Sequence, residues 1–298
     1  MTATRPGARR VAARLAALSV VIATLALAPS PTTVGASPPR TSPCGSRSVA
    51  HYTHVAWIVL ENVGSSLLAN PSAPFLQQLA RDCGIVPNDH GVAHPSLPNY
   101  LALTSGSTQG VSDDADPAYH PLAGPSLFSQ LGSRWTSLVE SMPAPCDRVS
   151  AGLYAAKHNP AVYFRTLGSS CARQDVPLVW PLDVARAFTL IVPNVCDDMH
   201  SCPVGVGDAW LRRAVGSITA SIPYRAGHLA LFITVDENDG DVANRVPTYV
   251  VAPSVRPGTV WRASITHYAL LATTEALLGL TRLGAARTAP TLVGAFHL

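Results

Sequence analysis

The chain has 298 residues, of which 47% are hydrophobic and 13% charged, so it suits one large α/β domain or two small ones. Its formal net charge is +3, but the first 36 residues carry four arginines and no acid. The remaining 17 basic and 18 acidic residues give a net charge of −1, without a basic patch. A nucleic-acid partner is therefore not expected.

The N-terminal segment has the layout of a cleaved signal peptide. Its arginines precede the apolar stretch 15–28, which is too short to cross a bilayer. A small-residue cleavage site ends at Ala36, so cleavage is expected after this residue. The arginine pair at positions 9 and 10 leaves general and twin-arginine export both open. We expect a secreted protein with no stable membrane span.

A Pro- and Ser-rich flexible leader, residues 37–48, precedes a single predicted domain, residues 49–298. Within the domain, strand-like segments alternate with helical ones, which predicts an α/β fold with a mainly parallel sheet covered by helices on both faces. In chain order the pattern predicts a strand Val55–Leu60, helices Ala73–Asp82, Asn99–Leu103 (as a start) and Pro125–Leu131, strands Trp135–Val139 and Phe188–Val192, a helix Ala209–Ile222, strands Leu229–Val235 and Thr248–Val251, and a helix Ser264–Leu280.

Six cysteines follow the predicted cleavage site, and an even number in an exported protein indicates disulfides. We predict pairing in sequence order. Zinc ligation is the alternative, but no Cys-x-x-Cys pair supports it. The predicted bridges are Cys44–Cys83, Cys146–Cys171 and Cys196–Cys202.

Two predicted strands end in acidic or amide residues. Asp236, Glu237 and Asp239 follow one strand, and Glu61 and Asn62 follow the first strand of the domain. Carboxyl ends of strands line the ligand site of open α/β sheets. A set of carboxylate and amide oxygens suits a hard cation such as Mg²⁺ or Ca²⁺, whereas the alternative is a solvated acidic turn.

Ser96 lies between Pro95 and Pro98, just before a predicted helix. A hydroxyl there is commonly an N-cap. The same position also suits an attacking oxygen, because a helix N-terminus favours the anionic phosphate. Coordination of the Ser96 oxygen by a metal would lower its pKa and activate it. No Gly-x-Ser-x-Gly motif is present, which disfavours an α/β-hydrolase esterase.

Three histidines have polar neighbours that suit phosphate chemistry. His158 follows Lys157, the single lysine of the chain, and His200 comes two residues after Asp198. Phosphoryl transfer needs cationic donors and a proton for the leaving oxygen. For His94, a chemical role and a role in holding its loop both stay open.

Eight stretches, in order, resemble the bacterial phosphoesterase family that contains exported acid phosphatases and phospholipases C. Each is a weak motif, but eight in order form a specific pattern that covers almost the whole chain after the signal peptide. Within the family, the chain most resembles actinobacterial secreted acid phosphatases of the phosphatidylinositol-3-phosphatase type. The stretches are IVLEN (58–62), HPSLPNYLALTSG (94–106), YAAKHNP (154–160), IVPNVCDDMH (191–200), GDAWL (207–211), LFITVDENDG (231–240), VPTYVVAPSVRPGT (246–259) and THYALLATTEALLGL (266–280).

The resemblance implies a three-layer α/β/α sandwich similar to that of alkaline phosphatase, and a covalent phosphoryl-enzyme mechanism. Ser96 stands where that superfamily places its Ser or Thr nucleophile. The residues at the family's metal-ligand positions are Glu61, Asn62, Asp236 and Glu237. The residues that match positions near the phosphate are His158, Asp198, His200 and His267.

The expected function is a secreted, monomeric, metal-dependent acid phosphatase that hydrolyses phosphomonoesters, with a phosphoinositide headgroup as one candidate substrate. A phospholipase C-type phosphodiesterase is the alternative enzyme, although the chain lacks the C-terminal extension of those members. A non-catalytic secreted binding protein is the alternative outside enzymes. The sequence departs from the family at Val235, where relatives often carry Trp, and at Asn238, which replaces an acid.

Overall fold

The structure is a computed structural model that describes residues 42–46, 51–240 and 243–298. The predicted signal peptide lies outside the described residues, as does most of the predicted leader. In the described part of the leader Cys44 is buried, which anchors this segment to the domain. No helix of the described residues has the length and apolar character needed to cross a bilayer.

The described residues form one eight-stranded sheet, which confirms the prediction of a mainly parallel α/β fold. The strands are β1 His54–Leu60, β2 Gly84–His90, β3 Trp135–Val139, β4 Asp175–Pro177, β5 Phe188–Val192, β6 Leu229–Val235, β7 Arg245–Val251 and β8 Thr259–Val260. Their order across the sheet is β4-β3-β5-β1-β6-β7-β2-β8. Strand β7 is antiparallel to both of its neighbours, and the other pairs are parallel.

Helices pack around this sheet in two groups, in which α1 contacts α5 and α2 contacts α7. The α-helices of the described chain are α1 Pro74–Asp82, α2 Ser96–Ser105, α3 Leu127–Leu131, α4 Cys171–Gln174, α5 Val204–Ala220, α6 Ile222–Arg225, α7 His267–Leu277 and α8 Val293–Phe296. Short 3-10 helices cover Ser65–Ala69, Ala156–His158, Pro160–Tyr163, Arg165–Ser170 and Gly284–Arg287.

Helix boundaries differ from the predicted ones where capping decides them. The predicted helix from Pro125 begins at Leu127, because Ser126 forms a capping box with Ser129. Helix α5 begins five residues earlier than its predicted start at Ala209. Helix α7 is shorter than predicted at both ends. These differences leave the predicted order of strands and helices unchanged.

Strands β1 and β6 form the centre of the core, and all residues of β6 are buried. Their continuous apolar runs suit strands that are covered on both faces. Trp57 of β1 donates its indole N–H to Thr274 Oγ1 of α7 at 3.0 Å and packs edge-on against Phe188, with ring centroids 4.8 Å apart. This aromatic side chain therefore links the centre of the sheet to α7 with its polar atom satisfied.

The three predicted disulfides are confirmed, and no free cysteine remains among the described residues. The zinc alternative is therefore wrong, because a sulfur in a disulfide is not a thiolate ligand. The Cys44–Cys83 bridge ties the leader to the start of β2. The Cys196–Cys202 bridge closes a short ring that contains Asp198 and His200.

The GDAWL stretch has a structural role, which its two first residues explain. Asp208 accepts hydrogen bonds from the Phe75 and Leu76 N–H groups at 3.0 and 2.9 Å, so it caps the start of α1 from another helix. A Cβ on Gly207 would lie 2.5 Å from the Met199 side chain and 2.8 Å from the Asp197 carbonyl oxygen. A glycine here lets α5 approach the disulfide-closed loop closely.

Asp175, the first residue of β4, is buried, and its ionisation makes the stability of the fold depend on pH. It accepts a hydrogen bond from Asn159 Nδ2 at 2.9 Å, and its Oδ1 has no partner among the described residues. Burial raises the pKa of Asp175 to about 7. The folded state therefore binds a proton that the unfolded state releases at lower pH, so the free energy of unfolding falls as the pH rises from about 4 to about 7.

We expect Asp175→Asn to stabilise the protein at pH 8 by roughly 1–4 kcal/mol and to leave its stability at pH 4 nearly unchanged. Urea unfolding at both pH values measures the difference. The exposed Asp183→Asn variant is the matched control. An Asp175→Asn protein that loses stability as steeply as the wild type between the two pH values would contradict the assignment.

Candidate active site

The carboxyl ends of β1 and β6 bring Glu61 and Asp236 side by side. Leu60 pairs with Val235 in the parallel register, and the Asp236 N–H donates to the Leu60 carbonyl oxygen at 2.9 Å. Glu61 and Asp236 come directly after the ends of these strands, and both are fully buried. Two acids that are distant in the sequence thus meet at the sheet edge where α/β folds bind ligands.

Ser96 is the first residue of α2, and its hydroxyl is held between two carboxylates. Its Oγ donates toward Glu61 Oε2 at 3.0 Å and Glu237 Oε1 at 3.2 Å. The N-cap reading of Ser96 is wrong, because Pro95 is the N-cap and the hydroxyl bonds no backbone N–H. Ser96 is only 1% exposed, so the two carboxylates fix the direction of its oxygen.

Asn99 shapes the loop that presents Ser96. Its side-chain oxygen accepts from the Val92 and Ala93 N–H groups at 2.8 and 3.1 Å, and its Nδ2 donates to the Ala93 and Pro95 carbonyl oxygens. Asn99 is fully buried one turn into α2. The asparagine of the HPSLPN segment therefore fixes the backbone in front of the serine.

His158 lies between Glu61 and Asp198, and all three are buried. Its Nε2 is 3.2 Å from Glu61 Oε1, and its Nδ1 is 3.1 Å from Asp198 Oδ2. These approaches lack hydrogen-bond geometry, so the four atoms have no hydrogen-bond partner among the described residues. Burial lowers the pKa of His158 and raises that of Asp198 to about 7, so desolvation favours the neutral form of both.

His200 and His94 border the site on the side that solvent reaches. His200 is exposed, and its ring centroid lies 5.8 Å from that of His158. Its N–H donates to Asp198 Oδ1 at 2.8 Å, which ties its backbone to the buried acid. The side chain of His94 is 41% exposed and contacts Glu237 Oε2 through Nδ1, so it faces the carboxylate that also holds Ser96.

His267 is fully buried at the start of α7 and faces the main chain of the site. Its Nε2 donates to the Asp236 carbonyl oxygen, so Nδ1 is the acceptor, and it has no partner among the described residues. Asp89 of β2 is a buried acid whose charge acts on His267 and whose Oδ2 accepts from Thr248 Oγ1 at 2.6 Å. Asp89 is not predicted from the sequence, because no motif surrounds it and its strand has no apolar pattern.

Asn62 and Asn238 complete the turns after β1 and β6. The Asn62 N–H donates to Asp236 Oδ1 at 3.2 Å, and this residue has a φ of 50° in the left-handed region that asparagine tolerates. Asn238 Oδ1 accepts from the Gly240 N–H at 3.0 Å, and the Asn238 N–H donates to Asn244 Oδ1 at 2.9 Å. The neutral side chain at 238 thus closes the turn.

The acids of the site are strongly perturbed. Burial, followed by the charges of Asp236 and Asp198, raises the pKa of Glu61 well above its ordinary value. Burial and then the charge of Glu237 do the same for Asp236, and burial also raises the pKa of Glu237. Crowded carboxylates in a desolvated site repel one another unless protons or a cation neutralise them.

The donor set fits a hard divalent cation. Asp236 Oδ2 is a buried oxygen without a hydrogen-bond partner among the described residues, whereas a histidine nitrogen contacts Glu61 Oε1 and another contacts Glu237 Oε2. Oxygen-only sets suit Mg²⁺ or Ca²⁺. Among the described residues, one group of three His, Cys or acidic side chains has its ligand atoms within 4.8 Å of one another. It lies elsewhere, at Cys146, Cys171 and Asp175, and its two sulfurs form a disulfide. The acids around Ser96 are thus more widely spaced than a closed ligand cage.

We expect Asp236→Asn to raise the thermal stability of chelator-treated protein at pH 8, by roughly 1–4 kcal/mol, because it removes one buried charge from the cluster. The substituted side chain keeps an oxygen for the Asn62 N–H. Thermal melts monitored by circular dichroism measure the effect, with the exposed neighbour variant Asp239→Asn as control. A lower melting temperature for Asp236→Asn than for the control would contradict the repulsion.

Solved structures support the same fold. The chain superposes on a protein in the alkaline phosphatase superfamily from Vibrio parahaemolyticus with a TM-score of 0.57 at 10% identity, over 84% of this chain and 73% of that one. It superposes on a 2-O GAG sulfatase with a TM-score of 0.56 at 10% identity, over 83% and 74% of the chains. The three-layer α/β sandwich expected from the sequence is thereby confirmed.

Sequence relatives identify the family. The chain is 34% identical to the phosphatidylinositol-3-phosphatase of Mycobacterium tuberculosis over 80% of this chain and 81% of that protein. It is 27% identical to a phosphate-repressible acid phosphatase of Penicillium chrysogenum, over 70% of this chain and 55% of that longer protein. Residues 61–281 match the Phosphoesterase family. The chain therefore belongs to the Phosphoesterase family and is a hydrolase of phosphoesters.

Proposed function

We propose that this chain is a secreted, metal-dependent acid phosphatase that hydrolyses phosphomonoesters through a phosphoserine intermediate. The observation that carries the proposal is the Ser96 hydroxyl, which is buried, opens α2 and donates toward two buried carboxylates. A serine needs an adjacent base or a metal to act as a nucleophile. The names of the bacterial and fungal relatives support phosphomonoesters as substrates.

Ser96 would attack the phosphorus from the N-terminus of α2. The proton of its hydroxyl passes to Glu61 or Glu237, which already accept hydrogen bonds from it. The bond from Oγ to phosphorus forms while the bond to the ester oxygen breaks, and the first turn of α2 favours the negative charge of the phosphoryl group. Attack of water on phosphoserine then releases inorganic phosphate and restores the hydroxyl.

Glu61, Asn62, Asp236 and Glu237 would hold the cation, together with the oxygen of Ser96. A bound Mg²⁺ or Ca²⁺ would offset the charge of the phosphate and lower the pKa of the serine hydroxyl. The burial of the three acids and the lack of a hydrogen-bond partner for Asp236 Oδ2 among the described residues support this assignment. The chain itself supplies the orientation, since the backbone of Asn62 already binds the carboxylate of Asp236.

A histidine would protonate the leaving alcohol. His200 is the better placed of the two predicted candidates, because it is exposed, whereas His158 is enclosed by Glu61 and Asp198. Asp198 would orient the His158 ring through Oδ2, and through Oδ1 it would fix the backbone of His200. His267 would have a structural role, since its hydrogen bond to the Asp236 carbonyl oxygen fixes the main chain that carries this acid.

The proposed substrates are phosphate monoesters, and several classes of ester carry this same group. The phosphatidylinositol-3-phosphatase of Mycobacterium tuberculosis supports a phosphoinositide headgroup as substrate. A phosphodiesterase of the phospholipase C type would act through the same serine and cation. Hydrolysis of a diester in the assay would favour this alternative. A non-catalytic binding protein would show turnover of neither class of ester.

The decisive assay compares p-nitrophenyl phosphate with bis-p-nitrophenyl phosphate, for wild type and Ser96→Ala, with and without chelator. We expect monoester turnover that falls by about 10⁴-fold or more in Ser96→Ala, since loss of a covalent nucleophile removes most of the catalysis. Chelation should abolish turnover, and Mg²⁺ or Ca²⁺ should restore it. The exposed Ser133→Ala variant is the control for loss of a hydroxyl.

Full turnover by Ser96→Ala would overturn the serine mechanism, and a preference for the diester would favour the phosphodiesterase. Acid quenching during turnover, followed by peptide mass spectrometry, provides an independent readout. The wild type should carry a phosphoryl group on the peptide that contains Ser96. A phosphoryl group on another residue would identify a different nucleophile.

Secretion is tested by the N-terminus of the mature protein. The basic and apolar segments and the small-residue site predict cleavage after Ala36. When the full chain is expressed in an actinobacterial host, we expect protein in the medium. N-terminal sequencing should show that this protein begins at Ser37. Retention of the complete N-terminus, or protein found only inside the cells, would contradict the prediction.

A further inference from the structure

One ion pair stands apart in this molecule. In residues 42–46, 51–240 and 243–298, Lys157 is the only lysine or arginine whose side-chain nitrogen lies within 4.0 Å of a carboxylate. Its Nζ is 2.7 Å from Asp114 Oδ2. The side chains of the two residues are 23% and 27% exposed. The single lysine of the chain is thus half-buried and held in place, whereas the arginines of the described chain are free of such pairs.

Asp114 connects this lysine to the serine. Its Oδ1 accepts from the Leu97 N–H at 2.9 Å, and Leu97 directly follows Ser96 in the first turn of α2. Its Oδ2 accepts from Lys157, which directly precedes His158. One carboxylate therefore fixes the ammonium group relative to the serine and to the histidine of the site.

We propose that Lys157 binds a non-bridging oxygen of the substrate's phosphoryl group, and that Asp114 is the positioning residue that holds Lys157 beside Ser96. The inference rests on the proposed function and extends it to the recognition of the phosphate. It assigns the cationic donor that the predicted site residues lack, since those are carboxylates, asparagine, serine and histidines.

The ammonium group has donors to spare. An ammonium carries three N–H donors, and Asp114 takes one of them. Two donors stay available for phosphate oxygens without any need to displace Asp114. A charged donor of this kind gives stronger hydrogen bonds to a phosphate than a neutral donor does.

The charges around the site explain why a fixed cation is needed there. Glu61, Asp236, Glu237 and Asp198 would repel a phosphate dianion that approaches Ser96. The charge of Lys157 acts on Glu61 and on Asp198, where it favours the ionised form, so it already reaches this cluster. Burial lowers the pKa of Lys157, but Asp114 and the nearby acids more than offset this, so the pKa is raised and, unlike a histidine, the lysine keeps its charge throughout the acidic and neutral range.

Lys157→Met and Lys157→Arg test the contact, with the exposed Arg165→Met as the control for loss of a surface cation. The readouts are kcat and KM for p-nitrophenyl phosphate, the inhibition constant of inorganic phosphate, and calorimetric binding of inorganic phosphate in the presence of Mg²⁺. We expect Lys157→Met to weaken phosphate binding and kcat/KM by about 10- to 100-fold, as for loss of a charged hydrogen bond. Lys157→Arg should recover part of both losses.

A double-mutant cycle separates positioning from a structural role. Asp114→Asn should weaken phosphate binding in the wild type but add little in the Lys157→Met background, because it acts through the lysine. The neighbouring Asp113→Asn, which removes the exposed partner of His120, is the matched control. An equal loss from Asp114→Asn in both backgrounds would show a structural role and overturn the positioning assignment.

Failure of the inference is distinguishable from failure of the proposed function. A wild type that hydrolyses the monoester while Lys157→Met keeps the wild-type KM and phosphate affinity overturns the inference alone. A wild type without turnover overturns the proposed function, and calorimetry then decides the role of Lys157. Binding of inorganic phosphate that is equal in both proteins, or absent from the wild type, overturns the inference.

Discussion

The rest of the site depends on the repulsion among buried carboxylates at the carboxyl edge of the sheet. Glu61 and Asp236 leave adjacent strands in register, and Glu237 and Asp198 lie beside them. Burial raises the pKa of each, so the fold holds these groups against their preference for protons or water. Burial of apolar strands such as β6 stabilises the folded state and offsets the unfavourable free energy of these buried charges. The orientation of the Ser96 hydroxyl follows from this arrangement, and so does the proposal that a cation binds there.

The stretches that resemble the family contain residues that meet at the site and residues that have structural roles. Ser96 and Glu61 meet directly, whereas Asn99 fixes the backbone in front of the serine. Asp208 lies at a helix start on the opposite group of helices, where it caps α1. A motif that resembles a family is therefore not by itself evidence of chemistry, because a residue such as Asp208 serves capping instead.

Elements whose structure is decided by a local sequence pattern were predicted correctly. Continuous apolar runs predicted β5 and β6 with their observed bounds, and pairing in order predicted the three disulfides. The sequence was insufficient where tertiary contacts decide. Strand β2 carries a proline and polar residues, so its pairing in the sheet and not its local sequence makes it a strand, and no local pattern marks Asp89 within it. The contact between Lys157 and Asp114 joins residues 43 positions apart, which no local pattern predicts.

The proposed acid phosphatase activity would place two opposing demands on the carboxylates of this site. Cation binding requires ionised carboxylates and therefore weakens as the pH falls. The raised pKa values of Glu61 and Asp236 make that loss begin at a higher pH than for ordinary acids. A bound cation and a permanently charged Lys157 both favour the ionised carboxylates, and Lys157 does so without a pKa in the working range. If the proposed acid phosphatase activity holds, the charge of Lys157 helps the buried acids to stay ionised at acid pH, because it acts on Glu61 and does not titrate there.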